Sequence, residues 1–365
     1  MKITDIEAID ISYTFDDRYK NIAPLWVGRS FKAVLVKVKT DEGITGIGET
    51  YPVGAIPVVS AIINNGLKPL LIGEDPLQII KLWEKMYGGS RGYGRKGAPI
   101  IAISGIDIAL WDILGKALNV PLYKLLGGSV RDNLKCYASL PPYGGDPTKE
   151  AVRCVEEGYK AVKIKVWYPN EINYIGKVRD AIGFDVDLLV DANCFYDKKT
   201  AYTAADACER NDVFWLEEPF SPDNLDDMCE LTSSVNVQIA AGENEYTRFG
   251  FKDLIERHAV DILMPDVERT GGITEYMRIA AMASAFHMNC DAHIFEVLGI
   301  GLAASLHISA TIPNSIFAET FTSAYEMQKD FLVKPFEAKN GHFKLPTDPG
   351  LGIELNEEII EKHRC

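Results

Sequence analysis

Hydrophobic positions follow two different patterns along the chain, and the change lies near residue 134. Beyond it, short apolar and β-branched runs alternate with longer amphipathic stretches in which apolar residues recur every three or four positions. The runs predict strands and the stretches predict helices. The predicted strands are 135–139, 161–166, 186–191, 213–217, 237–243, 261–266, 288–293 and 315–319. The predicted helices between them include 171–182, 198–211, 224–234, 247–258, 271–287 and 298–310.

Strands that alternate with helices form parallel βα units, and eight such units favour a closed barrel. An open parallel sheet is the alternative arrangement of the same elements. It is disfavoured because no glycine-rich nucleotide loop follows any of the predicted strands. We therefore expect an α/β fold with a barrel in the C-terminal part of the chain.

The first part of the chain has a different pattern. Alternation predicts strands over 3–15 and 31–50, with hairpin turn residues at 41–43. Helical periodicity follows at 58–86 and 97–118. The end of the chain returns to turn-rich, strand-like character, and we expect it to pack back on this first region.

The residues that close the predicted strands carry the chemistry. The run at 161–166 places Lys163 and Lys165 on one face and apolar residues on the other. Each later run ends in one polar residue, at intervals of 23 to 27 residues that correspond to one βα unit: Asp191, Glu217, Glu243, Asp266, His293 and Glu319. Because the C-terminal ends of barrel strands converge on one mouth, we expect these residues to be neighbours.

Taken singly, each of these residues has a structural explanation. An acid at a strand end also caps the following helix, and a lone histidine is more often a satisfied core residue than a catalytic one. Glu218 must point away from the side chain of Glu217, so only one of the two can be a ligand. Three successive strands that each deliver a carboxylate to the same mouth are much harder to explain by chance.

Asp191, Glu217 and Glu243, hereafter the acid trio, repel one another unless a cation neutralises them. Mg²⁺ prefers oxygen ligands and keeps positions for water or substrate oxygens. No histidine or cysteine belongs to the trio, which disfavours zinc. The sequence therefore predicts Mg²⁺ as the cofactor.

The lysine pair is predicted to face the same mouth. One ammonium group can hold a substrate carboxylate, while the other, near a cation and partly desolvated, has a lowered pKa and becomes a usable base. The structural alternative is a pair of exposed lysines on an edge strand. That alternative is disfavoured because a closed barrel has no edge.

Nine sequence segments carry a recognisable order and spacing. They are SGIDIALWDILGKALNVPLYKLLGG (104–128), KIK (163–165), VDAN (190–193), WLEEP (215–219), AAGEN (240–244), MPDVERTGGIT (264–274), DAH (291–293), FAET (317–320) and PGLGIE (349–354). Each is weakly diagnostic alone, but in this order and spacing they are specific. Together they resemble the enolase superfamily, specifically its mandelate racemase subgroup, over nearly the whole chain.

The resemblance implies a modified TIM barrel of (β/α)7β type at 129–330. It also implies an α+β capping domain at 1–128, completed by a C-terminal tail at 331–365. The common first step of this family is abstraction of the proton α to a carboxylate, with Mg²⁺ held by the acid trio. By position, Lys165 and His293 are acid/base residues on opposite faces of the substrate, and Asp266 orients His293. The implied substrate contacts are Lys163, Glu319, Asn193, Lys20, Arg29 and Tyr51.

The residue set leaves two reactions open. A racemase or epimerase returns the proton to the other face, whereas a dehydratase expels the β-hydroxyl group. Many members of the subgroup with this residue set are acid-sugar dehydratases, and polar residues in the predicted pocket loops also favour a sugar acid that is converted to a 2-keto-3-deoxy acid. These residues are Tyr19, Lys20, Arg29, Ser30, Tyr51, Arg91, Arg95 and Lys96. Trp26 and Phe31 leave an aryl substrate as an alternative. A non-catalytic barrel is a remote alternative, because no expected catalytic residue is missing.

Composition limits the partners and the compartment. The chain has 365 residues, 47% of them hydrophobic, and its net charge of −14 argues against binding to nucleic acid or to an anionic membrane. Seven scattered cysteines without a CxxC pair indicate reduced thiols in a cytosolic protein. No signal peptide is evident, and no apolar run approaches the ~20 residues that span a bilayer. We expect a cytoplasmic enzyme with a small-molecule substrate and, from the resemblance, a homo-oligomer.

Overall fold

The computed structural model describes residues 1–14, 30–51, 55–141, 146–295 and 298–365, without the side chains of 323–327. Within these ranges the predicted α/β barrel with a small N-terminal antiparallel sheet domain is confirmed. Every predicted barrel strand is present. The strands are β4 (Asn133–Ser139), β5 (Ala161–Lys165), β6 (Asp187–Asp191), β7 (Val213–Glu217), β8 (Gln238–Ala241), β9 (Ile262–Leu263), β10 (Asn289–Cys290) and β11 (Ala318–Phe321).

Helices separate these strands and cover the outside of the barrel. They are α6 (Thr148–Glu156), α7 (Asn173–Ile182), α8 (Lys198–Arg210), α9 (Leu225–Ser234), α10 (Thr247–Glu256), α11 (Gly272–Ala285), α12 (Ile300–Thr311) and α13 (Thr322–Phe331), with a short 3₁₀ turn at Pro169–Glu171. Seven parallel pairings join the strands in the order β10-β9-β8-β7-β6-β5-β4-β11. All the strand carboxyl ends therefore point to one mouth.

The strands are apolar on both faces because both faces are buried. One face meets the surrounding helices in the large core. The other face fills the barrel interior with a second cluster in which Tyr137, Trp215 and Phe317 pack edge to face. This aromatic layer lies on the same strand faces as the mouth residues and forms the floor beneath them.

The seam between β10 and β11 has no ladder in the described residues, and side chains join it instead. The buried carboxylate of Asp291 accepts hydrogen bonds from Ile316 N, Phe317 N and Ser315 Oγ at 2.5, 3.1 and 3.0 Å. Burial raises the pKa of Asp291 to about 6. The Asp291 carboxylate therefore joins the two strands here, beside a single backbone hydrogen bond from Cys290 N to Asn314 O at 2.8 Å.

The N-terminal domain is an antiparallel meander packed on helices. Its strands are β1 (Ile3–Thr14), β2 (Ser30–Thr40) and β3 (Thr45–Glu49). Its helices are α1 (Ile56–Ala61), a π-helical turn (Ile62–Leu67), α2 (Lys68–Leu71), α3 (Ile79–Ser90), α4 (Ala98–Leu118) and α5 (Leu122–Leu125). Strand β3 approaches α4 so closely that a Cβ on Gly48 would lie 1.9 Å from Gly105 O, so both positions require glycine.

Helix α4 is, among the described residues, the single helix long and apolar enough to cross a bilayer. In this protein 83% of its apolar stretch is buried. A helix that is hydrophobic on all sides is expected in the centre of a domain, where it is covered on every face. Its composition is explained by that position.

The prediction of helix over 58–86 is wrong in its centre. The helical structure stops at Leu71 and resumes at Ile79. Between them the chain turns at Gly73, which has φ +83°, and pairs with the start of β1 through Gly73 N to Ile3 O and Ile3 N to Glu74 O, both at 2.9 Å. Backbone hydrogen bonds to a strand replace the helical ones here.

The tail contacts both parts of the molecule. Strand β12 (His342–Lys344) pairs antiparallel with β4 of the barrel. Helix α14 (Glu357–His363) packs against β1, and Lys37 Nζ of the neighbouring strand β2 bonds Glu357 at 2.6 Å. The boundaries 128/129 and 330/331 stay predictions, since these contacts do not fix a limit between domains.

Candidate active site at the barrel mouth

The acid trio lies at the carboxyl ends of three adjacent strands, β6, β7 and β8. One carboxylate oxygen from each of Asp191, Glu217 and Glu243 lies within 4.8 Å of the other two, and all three residues are buried. The in-register pairing of Asp191 with Glu217 across β6 and β7 brings these two together. The one-residue-per-βα-unit spacing in the sequence thus becomes a cluster in space.

Lys163 lies on the floor of the site and is fully buried. Its Nζ donates to Glu217 Oε1 and Oε2 at 2.9 and 3.0 Å, contacts Glu319 Oε1 at 2.9 Å and lies 3.9 Å from Asp191 Oδ2. Burial would lower the pKa of Lys163, but the three carboxylates outweigh it and raise that pKa. Lys163 is therefore a permanent positive charge among the acids.

Lys165 and His293 flank the trio at its two ends. Lys165 Nζ contacts Asp191, whereas His293 Nε2 lies 3.0 Å from Glu243 Oε2. The other ring nitrogen of His293, Nδ1, lies 2.9 Å from Asp266 Oδ2. Asp266 is itself fixed by the backbone N–H of Glu268 at 2.8 Å. A histidine whose ring is oriented by a carboxylate is one arrangement that can serve general acid–base catalysis.

The pKa values of Glu217, Glu243 and His293 are shifted because these groups are buried close to other charges. Burial and the neighbouring acids raise the pKa of Glu217 to about 8, although Lys163 opposes them. Burial would also raise the pKa of Glu243, but His293 outweighs it and lowers that pKa. Burial would lower the pKa of His293, and the adjacent Glu243 and Asp266 carboxylates raise it well above its usual value. Opposite charges, not solvent, stabilise the ionised groups here.

Glu319 and Asn193 lie at the edges of this cluster. Glu319 Oε2 accepts from Ile294 N at 2.9 Å, next to His293, and its other oxygen meets Lys163. Burial would raise the pKa of Glu319, but the Lys163 ammonium group outweighs it and lowers the pKa to about 2. Asn193 Oδ1 accepts a hydrogen bond from Trp167 Nε1 at 2.8 Å. This bond uses the amide oxygen of Asn193 and not its NH₂ group.

Of the three substrate contacts that the resemblance implies in the capping domain, Tyr51 lies in the described part. Its ring is 6.4 Å from that of His293 and lies under the guanidinium of Arg269 at 4.6 Å. Burial raises the pKa of the Tyr51 phenol. Lys20 and Arg29 lie outside the described residues, so their predicted role is not placed. Among the predicted loop cations, Lys96 pairs at 2.6 Å with Glu245, two residues after Glu243 in the sequence.

The donor set fits a hard divalent cation. Three buried carboxylates offer oxygen atoms to one point, and neither a cysteine nor a histidine is among the three. Mg²⁺ is held in this way by a few carboxylates, with water or substrate oxygens in its other positions. Burial and the neighbouring acids raise the pKa of Glu217, and a bound cation would favour its ionised form against both.

Several residues that touch the site have no signal in the strand-end pattern. Trp215 Nε1 donates to Glu217 Oε2 at 3.1 Å, which its position two residues before Glu217 on the same strand face could have indicated. Cys194 contacts Glu218, the residue predicted to face away from the trio. Nothing in the spacing marks Cys194, because it lies in an irregular loop after β6.

Two family profiles match the chain. The profile described as "Enolase C-terminal domain-like" matches residues 147–359. The profile described as "Mandelate racemase / muconate lactonizing enzyme, N-terminal domain" matches residues 21–127. Together they cover both the capping region and the barrel.

Curated relatives include sugar-acid dehydratases and a cycloisomerase. An arabinonate dehydratase from Saccharolobus solfataricus is 35% identical over 91% of this chain and 90% of its own. A D-xylonate dehydratase from Haloferax volcanii is 34% identical over 100% of this chain and 94% of its own. A D-galactarolactone cycloisomerase from Agrobacterium fabrum is 31% identical over 100% of this chain and 99% of its own.

Solved structures agree with the chain over its full length. A member of the enolase superfamily from Polaromonas sp. JS666 has a TM-score of 0.92 at 37% identity, with 100% of this chain and 98% of that one covered. A racemase from Streptomyces coelicolor A3(2) with bound magnesium has a TM-score of 0.89 at 28% identity, with 100% of both chains covered. The predicted resemblance is confirmed, and the chain belongs to the enolase superfamily, in its mandelate racemase and muconate lactonizing enzyme branch.

Proposed function

We propose that this protein is a magnesium-dependent dehydratase of a sugar acid. The observation that carries the proposal is the position of the acid trio between two proton-transfer groups, Lys165 and His293, at one mouth. Relatives named arabinonate, D-xylonate and D-galactonate dehydratases support the choice of reaction. The polar residues predicted for the pocket loops support a polyhydroxylated substrate.

Asp191, Glu217 and Glu243 would hold the Mg²⁺ ion. When bound, the ion supplies positive charge beside the substrate carboxylate, where negative charge grows as the α-proton leaves. Lys163 adds a fixed positive charge on the floor below, and Glu319 lies next to it at 2.9 Å. These groups are rigid because they are buried on strand ends, so little reorganisation is needed during the reaction.

The two proton-transfer groups divide the chemistry. One of Lys165 and His293 removes the proton from the α-carbon, and the electron pair of the C–H bond moves toward the carboxylate. That pair then forms the bond between the α- and β-carbons while the β-carbon–oxygen bond breaks. The second group, or the first after it has taken up the proton, protonates the departing hydroxyl, which leaves as water. The enol product tautomerises to the 2-keto-3-deoxy acid, so the net change is loss of one water.

A racemase or epimerase is the second candidate. Acid/base groups at opposite ends of the trio favour it, because such a pair can remove a proton from one face and return one to the other. The Streptomyces coelicolor structure is named a racemase. A racemase would produce a 2-hydroxy acid whose α-hydrogen has exchanged with solvent, and it would form no ketone.

The test is a panel of five- and six-carbon sugar acids incubated with the purified protein and Mg²⁺ in D₂O. Semicarbazide absorbance measures the 2-keto-3-deoxy product, and NMR measures α-proton exchange. We expect ketone formation with at least one acid, and loss of that signal with EDTA. Exchange or inversion without ketone would favour the racemase, and no reaction with any acid would contradict the proposal.

Two further predictions belong to this proposal. We infer that the enzyme assembles as a homo-oligomer and acts in the cytoplasm. The first follows from the family alone. The second follows from the scattered cysteines, all seven of which are free thiols in the structure.

A further inference from the structure

Glu218 is a buried carboxylate next to the acid trio that the proposed chemistry does not use. It follows Glu217 directly and is 2% exposed. Its backbone has φ +44°, a left-handed conformation that is uncommon for a residue other than glycine, asparagine or aspartate. Such a conformation persists where the surrounding contacts fix it, and functional sites are where it is most often found.

The side chain of Glu218 joins the ends of two neighbouring strands. Its Oε1 accepts from Gly242 N at 2.9 Å, and its Oε2 accepts from Cys194 Sγ at 3.0 Å. The backbone of Glu218 repeats these links, because its N–H donates to Ala240 O at 2.9 Å and its C=O accepts from Cys194 N at 2.7 Å. A single residue of the β7 end is thus tied to the β6 loop on one side and to β8 on the other.

Each of these contacts is next to a member of the trio. Gly242 precedes Glu243, Cys194 lies in the loop that follows Asp191, and Glu218 itself follows Glu217. Asn244 closes the ring, since its Nδ2 donates to Glu243 Oε1 at 3.3 Å and lies 3.6 Å from Cys194 Sγ. The three strand ends that carry the trio are therefore connected behind it through one carboxylate.

The backbone on both sides of this connection is held in unusual conformations. Asn193 and Cys194 have φ +42° and +66°, and Gly242 has φ +140°. Without a fixed partner, residues such as Cys194 would relax toward ordinary φ values and shift the loop that follows Asp191. The Glu218 carboxylate supplies that partner to Cys194 and Gly242 together.

We propose that Glu218 is a positioning residue that sets the spacing of the acid trio through its hydrogen bonds to Cys194 and Gly242. The inference rests on the proposed magnesium site. Groups that orient metal ligands from behind typically change metal affinity 10- to 100-fold when they are removed. We expect an effect of about that size on the binding of Mg²⁺ itself, in the absence of any substrate.

The test compares two variants that both lack the carboxylate but differ in backbone preference. Glu218→Gly accepts the left-handed backbone without strain, whereas Glu218→Ala must bear it. Isothermal titration calorimetry with Mg²⁺ should give a Kd that is 10- to 100-fold higher in both, while thermal unfolding shows Glu218→Ala to be the less stable. Glu218→Gln keeps an acceptor for Gly242 N, so its Kd for Mg²⁺ should be closer to that of the wild type.

Asp112→Asn is the matched control. Asp112 is equally buried and its carboxylate likewise holds two donors, the backbone N–H groups of Ile47 and Leu351 at 3.0 Å each, but it lies in α4. This variant should lose stability and keep the wild-type Kd for Mg²⁺. If Glu218→Gly is folded and binds Mg²⁺ within twofold of wild type, Glu218 is merely structural and the inference is wrong.

The thiol contact has its own pair of variants. Cys194→Ser keeps an O–H donor for Glu218, and Cys194→Ala removes it, while both keep a side chain on the same left-handed backbone. The serine variant should bind Mg²⁺ more tightly than the alanine variant, and equal affinities would contradict the part played by Cys194. A wild-type protein that binds no Mg²⁺ would overturn the proposed function as well, which separates the two failures.

Discussion

His307 should make the stability of this protein fall steeply in mild acid. It is fully buried on α12, far along the helix from the mouth. Its Nδ1 accepts from Tyr123 N at 3.1 Å, and its Nε2 lies 3.1 Å from Leu351 O. Because a backbone N–H can only donate, Nδ1 carries no proton and Nε2 donates to the carbonyl. The neutral ring thus joins α5, α12 and the tail, and a second proton would face the Tyr123 N–H.

The magnitude follows from the pKa. Burial lowers the pKa of His307 from 6.5 to about 4, against the opposing hydrogen bond to Leu351 O. Between these values the unfolded chain binds the proton and the folded protein does not, so the free energy of unfolding decreases as the pH falls. At ~1.4 kcal/mol for each pH unit, the total loss is about 3 kcal/mol by pH 4. Above pH 7 the group contributes no pH dependence.

Urea unfolding from pH 7.5 to 4 would measure this loss. The comparison is with His307→Asn, whose amide oxygen can accept from Tyr123 N and which has no proton to gain. We expect the variant to be less stable at pH 7.5, because its shorter side chain leaves a gap and loses the Leu351 contact. As the pH falls to 4, the free energy of unfolding of the wild type should decrease by about 3 kcal/mol relative to that of the variant. A constant difference across this range would refute the assignment of a neutral, buried imidazole.

Three further predictions concern the site and its support. Glu217→Gln should raise the Kd for Mg²⁺ by more than the 10- to 100-fold expected for outer contacts, measured by calorimetry, and an unchanged Kd would exclude it as a ligand. His293→Asn should reduce turnover by about 10² to 10⁴ while Mg²⁺ still binds, and retained full activity would exclude it as an acid or base. Glu49→Ala should lower the free energy of unfolding by about 2 kcal/mol or more, because it removes the acceptor of Leu298 N and Ile300 N at the start of α12. An unchanged urea midpoint would contradict the last expectation.

The strand ends could be predicted from the sequence because their chemistry repeats with the period of the fold. One βα unit fixes the interval between Asp191, Glu217 and Glu243, and parallel strands place their ends on the same side. Alternation within β5 gave the shared direction of Lys163 and Lys165 in the same way. Where a residue lies in a regular helix or strand, the period of that element predicts the side of the element on which its side chain lies.

The features of the fold and site that were not predicted depend on backbone conformations and contacts that do not repeat along the sequence. The left-handed φ of Glu218 and Cys194 leaves no mark in the sequence, so the links behind the trio were not predicted. Asp291 was recognised only as part of a motif, although it closes the β10–β11 seam. The break at Gly73 had a sequence signal, a glycine and a nearby proline, that the apolar periodicity of 58–86 outweighed in our prediction.

The capping region is joined to the barrel beside the two residues that form the histidine–aspartate pair. Asp107 of α4 accepts from Thr274 N at 2.9 Å and Thr274 Oγ1 at 2.6 Å, at the start of α11. Glu49 of β3 accepts from Leu298 N and Ile300 N at 2.7 and 3.1 Å, at the start of α12.

These helices follow the strand ends that carry Asp266 and His293, respectively. Both acids are fully buried at helix N-termini, where the free N–H groups and the helix dipole favour a carboxylate. The two domains therefore share buried polar contacts with the segments that follow Asp266 and His293. Movement of the capping region away from the barrel would expose these carboxylates or leave them without hydrogen-bond partners, and the free-energy cost of either change opposes such a movement.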